Sequence, residues 1–588
     1  MDQQITTRAT EWAKNSYFDQ ADRDEVQKLL DQGESMTQEL TERFYRDLEF
    51  GTGGLRSPMG MGQNRMNKYN VRRATQAMAN VMKKTFQDEL RAVISYDSRH
   101  NSKFFAQEAA GVFAANGIKA FIFNELSPTP MLSFGVRYFK AKAGVMVTAS
   151  HNPPIYNGFK AFWADGAQVV PPTDNNIITA YNGLSNWNDV KFMNFEEGLK
   201  SGMISWTGNE VDEAFFKVIE TKVVLRPEMI KKDGDKLSAV YTSLHGSALN
   251  PCKKIMKKLG FNHFHTVEEQ ESFDGSFPTV KSPNPEDPKA LAMAVEMMKK
   301  LNADIVYGTD PDGDRLGVVI SHKGEPVFVN GNQIALLMIY YIFKTRDELK
   351  TLPKKPLVIK SIVTSPLQDV IVEPFGGKVV STLTGFKWMC DFIRTNEEAK
   401  SDYEFVFASE ESFGYMPHSE SRDKDGVSSM VLMSEAALYY KLQGKTLIDA
   451  LSEIYEKYGY ALESLISLDF EGIAGAKKID RIMEAFRNYP EKIFAGEEIL
   501  MKEDYKSSTG LNIKTGVSSK IELPSSNVLS FTLASGNRFF LRPSGTEPKI
   551  KFYTMVRETN GKLNEKEVNA KKKIELIEAK IKEICDKA

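Results

Sequence analysis

The 588-residue chain holds only three cysteines, Cys252, Cys390 and Cys585, far apart and with no CxxC pair. That excludes a disulfide framework and a thiolate zinc site. Histidine is also scarce, seven in all, and His263 and His265 alternate as strand residues do without implying a metal. No charge of one sign dominates, since 78 acidic residues face 76 basic ones. A nucleic-acid binder carries a basic excess or stripe, and neither is present. Any anionic ligand must then be held by local constellations rather than by the overall field. No apolar run approaches the roughly 20 residues that span a bilayer. The polar start MDQQITTRATEWAKN lacks the apolar core of a secretory signal. A cytoplasmic protein is expected, with no nucleic-acid or membrane partner.

The composition that remains, 41% hydrophobic and 26% charged, is ordinary for a globular protein. The length exceeds what one core organises, so several domains are expected. Strand-like and helix-like segments alternate early: Arg91–Tyr96, Phe104–Asn116, Ile118–Asn124 and Ala143–Thr148. The same alternation returns around Lys236–Thr242, Ala303–Gly308, Pro356–Val363 and Phe405–Phe407. Such a pattern predicts an α/β fold of three similar units, each a sheet covered by helices. The end differs. Val528–Leu533, Arg538–Leu541 and Lys549–Val556 suggest an antiparallel sheet. A closing helix with Val568, Ile574, Ile577, Ile581 and Ile584 on one packing face follows. Polar, glycine-containing stretches divide the chain into domains 1–205, 206–325, 326–455 and 456–588.

Four loops concentrate phosphate and metal chemistry. In TASHNPPIYNGFK, Thr148 to Lys160, Ser150 follows a strand and precedes two prolines that forbid helix and ladder alike. A serine hydroxyl needs a group to take its proton and a charge to steady it, and His151 and Lys160 are at hand. A lone Ser-His pair is ordinarily a polar turn, and no GxSxG elbow is present. In GTDPDGDRLG, Gly308 to Gly317, Asp310, Asp312 and Asp314 crowd a tight turn. Three carboxylates there repel one another unless a cation sits among them. A calcium hand is excluded because its sixth position is Arg315 and its twelfth Ser321. The set suits magnesium completing its shell from a phosphate, against the plainer reading of a solvated acidic turn. ASEESFGY, Ala408 to Tyr415, offers carboxylates and hydroxyls for sugar hydroxyls, but alone is weak. RPSGTEPK, Arg542 to Lys549, combines a guanidinium fork, hydroxyls and a glycine, the makings of an anion nest. Gly444-Lys445-Thr446 resembles the end of a nucleotide phosphate loop, but Tyr439 stands where its first glycine is required.

Taken in order, with FGTGGLR at Phe50–Arg56, these strings resemble the α-D-phosphohexomutases, the family of phosphoglucomutase and phosphomannomutase. The likeness spans nearly the whole chain, and TASHNPP, DPDGDR and RPSGTEP together are very specific. It implies four domains, three related α/β units and a smaller C-terminal α+β domain, around a central cleft. It implies a phosphoryl-carrying Ser150, metal held by Asp310, Asp312 and Asp314 with Ser150 completing the shell, and a surround of Arg56, His151, Lys160 and Arg315. Glu410 and Ser412 are implied as sugar-hydroxyl contacts, and Arg542, Ser544, Gly545 and Thr546 as the clamp on the non-reacting phosphate. TLTGFKW, Thr382–Trp388, resembles the loop that distinguishes the two sugar orientations, placing Lys387 in the cleft. YDSRHNS, Tyr96–Ser102, also matches, with Asp97 and Arg99 bracing the site. The chain departs at Ser409, where a glycine often stands, and at GTGG in place of GTSG or GTDG.

The implied ligands are Mg2+ and small-molecule sugar phosphates, with glucose 1,6-bisphosphate as activator and intermediate. The implied reaction is interconversion of glucose 1-phosphate and glucose 6-phosphate. Mannose or pentose phosphates, bisphosphate synthesis, or a non-catalytic sugar-phosphate binder are the alternatives. Oligomeric state is not legible.

Overall fold

A computed structural model of the chain describes residues 2–51, 53–470, 472–544 and 549–588. Two compact units emerge. One takes in the chain to Asn330 with Phe386–Ser401 and Ser412–Gln443, and the other Gly331–Gly385, Asp402–Glu411 and Gly444–Ala588.

In the first unit a six-stranded sheet runs in the order Gly54–Pro58, Tyr156–Trp163, Ala143–Val147, Arg91–Tyr96, Lys119–Phe123, Ile204–Thr207. The last four are mutually parallel, and the first two extend the sheet in antiparallel sense. Ala92–Tyr96 and Ala143–Val147 are buried throughout, as strands covered on both faces must be. The helices Lys68–Thr85 and Ser102–Ala115 supply part of that cover, packing Val71, Ala74, Met78, Phe105 and Phe113 against Ile94, Val145 and Val147. The chain leaves Arg91–Tyr96 for Lys119–Phe123 on one side and returns to Ala143–Val147 on the other. The carboxyl ends of Arg91–Tyr96 and Ala143–Val147 therefore flank a topological switch point, where open α/β sheets leave a crevice for ligands.

A second sheet in this unit centres on Ala239–Thr242, paired in parallel with Phe264–Thr266 and Ile305–Thr309. From Ile305–Thr309 it continues through the antiparallel Leu316–His322 and Glu325–Val329. The turn joining Ile305–Thr309 to Leu316–His322 is the acidic one. Gly313 takes φ +65° there, and a Cβ on it would lie 2.7 Å from Pro128 Cβ. The N-terminal helices Gln3–Lys14, Gln20–Asp31 and Thr37–Phe44, not anticipated from sequence, pack Trp12, Phe18 and Phe44 around Tyr69.

In the second unit Pro356–Ser361 pairs in parallel with Lys378–Thr382 and with Glu404–Glu410. Farther along, an antiparallel sheet runs Tyr460–Asp469, Lys549–Glu558, Arg538–Pro543, Leu529–Leu533, Glu497–Asp504, Thr509–Asn512, Ser518–Lys520. Three of its strands match the expectation. The longest pairing, ten residues of Tyr460–Asp469 against Lys549–Glu558, was not legible. The closing helix Leu563–Lys587 buries Ala570, Ile574, Ile577, Ile581 and Cys585. Val568, expected on that face, is 50% exposed. It precedes Ala570 by two positions, which at 3.6 residues per turn puts it on the opposite side. Thr446 caps the helix Leu447–Tyr458 reciprocally with Asp449, so the Gly-Lys-Thr string has a structural role here. No helix among the described residues is long and apolar enough to cross a membrane.

Candidate active site

In the first unit the carboxyl end of Ala143–Val147 delivers Thr148, Ala149 and Ser150. Ser150 is 5% exposed and takes φ +50°, a left-handed backbone that costs an L-residue about 1–2 kcal/mol. Its Oγ donates to Asp310 Oδ2 at 2.8 Å and lies 3.2 Å from His151 Nδ1. Asp310 stands at the end of Ile305–Thr309, and its Oδ1 accepts the backbone N–H groups of Asp314 and Arg315 at 3.2 and 3.1 Å. One ligand atom each from Asp310, Asp312 and Asp314 lies within 4.8 Å of the others, and all three residues are buried.

Cations surround this triplet. Lys160, on the antiparallel strand Tyr156–Trp163, donates to Asp312 Oδ2 at 2.6 Å and Asp314 Oδ2 at 3.1 Å. Lys424 Nζ, from the loop before the helix Gly426–Lys441, lies 3.2 Å from Asp314 Oδ2. Arg315 pairs with Glu286, and Arg56, exposed on Gly54–Pro58, donates to Asn152 Oδ1 at 2.9 Å. Burial, then the Asp314 and Asp312 carboxylates, push Asp310 well above the carboxylate range. Against the cost of burial, Lys160 and Lys424 hold Asp314 below it. Lys160 meets the same desolvation, yet Asp312 and Asp314 push it up to about 12, so it is an ammonium at neutral pH. Burial, with Arg315 and Arg56 nearby, lowers His151 well below its ordinary value and keeps the imidazole neutral.

The carboxylates fit a divalent cation. Asp312 Oδ1 and Asp314 Oδ1 are buried with no hydrogen-bond donor among the described residues, a costly state unless something positive faces them. All-oxygen donors are what magnesium takes.

Behind the serine, Asp97 and Arg99 are almost wholly buried. Arg99 donates to the carbonyls of Ser150, Asn152, Pro153 and Tyr156. Asp97 accepts from Thr148 Oγ1 at 2.6 Å, and that oxygen accepts the Ser150 N–H at 2.8 Å.

The structure thus gathers Ser150, His151, Lys160, Arg56, Arg315 and the three aspartates around one loop pair. Lys387 is different: its Nζ lies 3.8 Å from Asp174 and over the Trp388 ring, and burial lowers its pKa. The TGFKW string is part loop, part helix, because Phe386 opens the helix Phe386–Glu398. Ser412 lies in the turn before Gly414–Met416. In the second unit Glu410, at the end of Glu404–Glu410, is buried and accepts the Gly385 N–H. Glu411 accepts from Ser361 Oγ at 3.0 Å and Thr364 Oγ1 at 3.3 Å. Desolvation and then Glu410 push Glu411 up to about 7, against the pull of Arg542. The Arg542 side chain bonds Tyr553, and Ser544 N–H donates to Lys549 O at 2.8 Å. Gly545 and Thr546 lie outside the described residues.

Sequence reasoning missed Lys424 and Glu286. Neither SRDKDG nor SPNPEDP says which loop it will meet, although a lysine flanked by two aspartates just ahead of an apolar helix was the available signal.

Buried carboxylates, a serine hydroxyl and convergent cations at an α/β switch point define a phosphoryl-transfer class of site. Comparison with known proteins narrows it. The phosphoglucomutase/phosphomannomutase alpha/beta/alpha domains I, II and III match residues 47–186, 213–324 and 330–458. A phosphoglucomutase of Staphylococcus saprophyticus is 36% identical over 509 residues, 86% of this chain and 90% of that protein. One of Staphylococcus epidermidis is 34% identical over 541 residues, 92% and 96%. In fold, the Paramecium phosphoglucomutase parafusin in its open form aligns with a TM-score of 0.67 at 17% identity, covering 92% of this chain and 95% of that one. The chain belongs to the phosphoglucomutase/phosphomannomutase family. It is an enzyme, an isomerase-class phosphohexomutase most like the phosphoglucomutases.

Proposed function

We propose that the enzyme interconverts glucose 1-phosphate and glucose 6-phosphate in the cytoplasm, with Ser150 carrying the phosphoryl group and glucose 1,6-bisphosphate as intermediate and activator. The observation that carries this reading is the 2.8 Å bond from Ser150 Oγ to Asp310, with Lys160 bridging Asp312 and Asp314. In one half-reaction the phosphoserine P–O bond breaks as a sugar hydroxyl oxygen forms its own bond to phosphorus, giving the bisphosphate. In the other, the Ser150 oxygen gives up its proton and bonds the second phosphorus as the sugar O–P bond breaks, and the freed sugar oxygen is protonated, yielding the isomeric monophosphate. Phosphoryl transfer asks for positioning and neutralised charge more than covalent help. Mg2+ held by Asp310, Asp312, Asp314 and the Ser150 oxygen would neutralise phosphate charge when bound.

The chain's own residues do the rest. Lys160, an ammonium, steadies the moving group, and Arg56 and Arg315 add charge around the loop. His151 Nδ1, neutral and 3.2 Å from Oγ, receives the serine proton. Glu410 and Ser412 bind sugar hydroxyls, and Arg542, Ser544, Gly545 and Thr546 hold the phosphate that is not reacting. Lys387 belongs with the substrate-facing set through the TGFKW string, and the domain division at 205, 325 and 455 is part of the same reading. The bisphosphate must turn over between half-reactions, so one distal clamp serves both.

The test is a mutase assay across glucose, mannose and ribose 1-phosphates with the bisphosphate supplied. Glucose 1-phosphate is expected to give the highest kcat/KM, with mannose 1-phosphate about tenfold lower, the worth of one neutral hydrogen bond. A preference for the pentose would overturn the sugar assignment.

A further inference from the structure

We propose that Arg99, acting with Asp97, is a positioning residue that holds the Ser150 backbone in the one conformation from which its hydroxyl reaches the acidic triplet. The inference rests on Ser150 being the phosphoryl carrier. No sequence signal assigns either residue a part in the reaction beyond bracing.

Both backbone polar groups of Ser150 are tied to this pair. The carbonyl accepts from Arg99 Nη2 at 2.6 Å. The N–H donates to Thr148 Oγ1 at 2.8 Å, and that hydroxyl donates to Asp97 Oδ2 at 2.6 Å. The same guanidinium takes the Asn152 carbonyl and, through Nη1, those of Pro153 and Tyr156 at 2.9 and 3.0 Å. One buried fork therefore gathers the carbonyls of Ser150, Asn152 and Pro153, which the prolines keep out of any ladder, and that of Tyr156, where the strand begins. The pair is itself fixed. Asp97 Oδ1 accepts from Ser102 Oγ at 2.7 Å and from Arg99 N–H at 3.0 Å, and the Phe277 ring lies 5.0 Å from the guanidinium carbon.

These contacts meet at the residue that needs them. Ser150 is a non-glycine at φ +50°, a conformation that persists only when its surroundings over-determine it. Released, the residue relaxes toward negative φ and its Oγ swings away from Asp310. Arg99 meets Ser150 at its backbone carbonyl, not at the hydroxyl that faces the acidic triplet. Its loss should therefore lower the rate of transfer while leaving ground-state binding of the sugar phosphate alone, since small misplacements of reacting groups cost rate steeply. Lysine is no substitute, because a single ammonium cannot span carbonyls that a planar fork reaches.

The experiment compares full-length R99K, T148V and T148S with the parent and with S150A. It reads kcat, KM for glucose 1-phosphate, the magnesium concentration for half-activation and the thermal midpoint. R99K and T148V are expected to lose at least about tenfold in kcat, with KM for glucose 1-phosphate unchanged and a higher magnesium concentration for half-activation, since the Ser150 oxygen completes the metal shell. T148S, which keeps the hydroxyl, should regain the parental rate. If R99K does not fold, the T148V and T148S pair decides alone. Parental kcat in folded R99K or in T148V overturns the positioning role, as does a loss of rate matched by KM and midpoint. Parental activity in S150A overturns the phosphoserine reading beneath it, and the proposal falls with it.

Discussion

Replacing Asp312 by Asn probes the acidic triplet with little change of shape. In the folded protein Asp312 Oδ2 accepts from Lys160 Nζ at 2.6 Å and Thr129 Oγ1 at 2.8 Å, while Oδ1 is buried without a donor among the described residues. An asparagine can place its carboxamide oxygen at the Oδ2 position and keep both bonds. Its NH2 then occupies the Oδ1 position and presents hydrogens where a cation would be held. The metal-free fold should survive, and metal affinity should not. Changes that merely support a metal ligand cost about 10–100-fold in affinity, so losing a ligand should cost at least ~100-fold. At magnesium a hundredfold above the parental Kd, binding stabilises the parent by about 2.7 kcal/mol and a variant weakened ~100-fold by about 0.4 kcal/mol. Thermal unfolding with and without magnesium reads that difference directly. The parent's midpoint should rise by a few degrees, the variant's hardly at all, with matched midpoints in chelator. Equal magnesium-dependent rises in the two proteins would refute the assignment of Asp312 as a ligand.

The other predictions concern the second unit. Arg542→Ala should raise KM in both reaction directions by roughly 10- to 150-fold, the equivalent of about 1.5–3 kcal/mol for a charged hydrogen bond; initial-rate kinetics that show the effect in one direction only would count against a shared clamp. Glu411 is raised from an ordinary 4.5 to about 7 by burial and Glu410. The folded state therefore holds a proton that the unfolded chain releases, and stability falls as pH rises from 4.5 to 7. Glu411→Gln should flatten that slope and exceed the parent in stability above pH 7, as denaturant titrations at several pH values would register. Parallel pH profiles for the two proteins would contradict the buried-carboxyl assignment.

Much of the fold was legible because its signals are local. Apolar runs such as RAVISY and AGVMV become buried parallel strands, and turn-forming strings mark the loops that carry Ser150 and Asp310. The N-terminal helices escaped notice because Trp12, Phe18 and Phe44 act only as an aromatic cluster around Tyr69, which sequence separation hides. Tyr460–Asp469 was missed for a related reason: beyond Tyr460 and Ala461 none of its side chains is fully buried, so its partner Lys549–Glu558 supplies the order. In the site, residues inside dense motifs were readable one loop at a time. Lys424 and Glu286 were not, since each matters only through a carboxylate or guanidinium brought to it by another loop. Arg99 was named from YDSRHNS as bracing the site, but the four carbonyls that its guanidinium binds leave no trace in spacing.

The central claim is that Ser150 carries the phosphoryl group, and phosphate transfer from labelled glucose 1,6-bisphosphate tests it most directly. The parent should take label onto the tryptic peptide containing Ser150 and surrender it to added glucose 1-phosphate as fast as turnover requires. Ser150→Ala should take no label, show no turnover and retain the parental magnesium-free thermal midpoint. Label on another residue, or turnover near the parental rate in the alanine variant, would contradict the account.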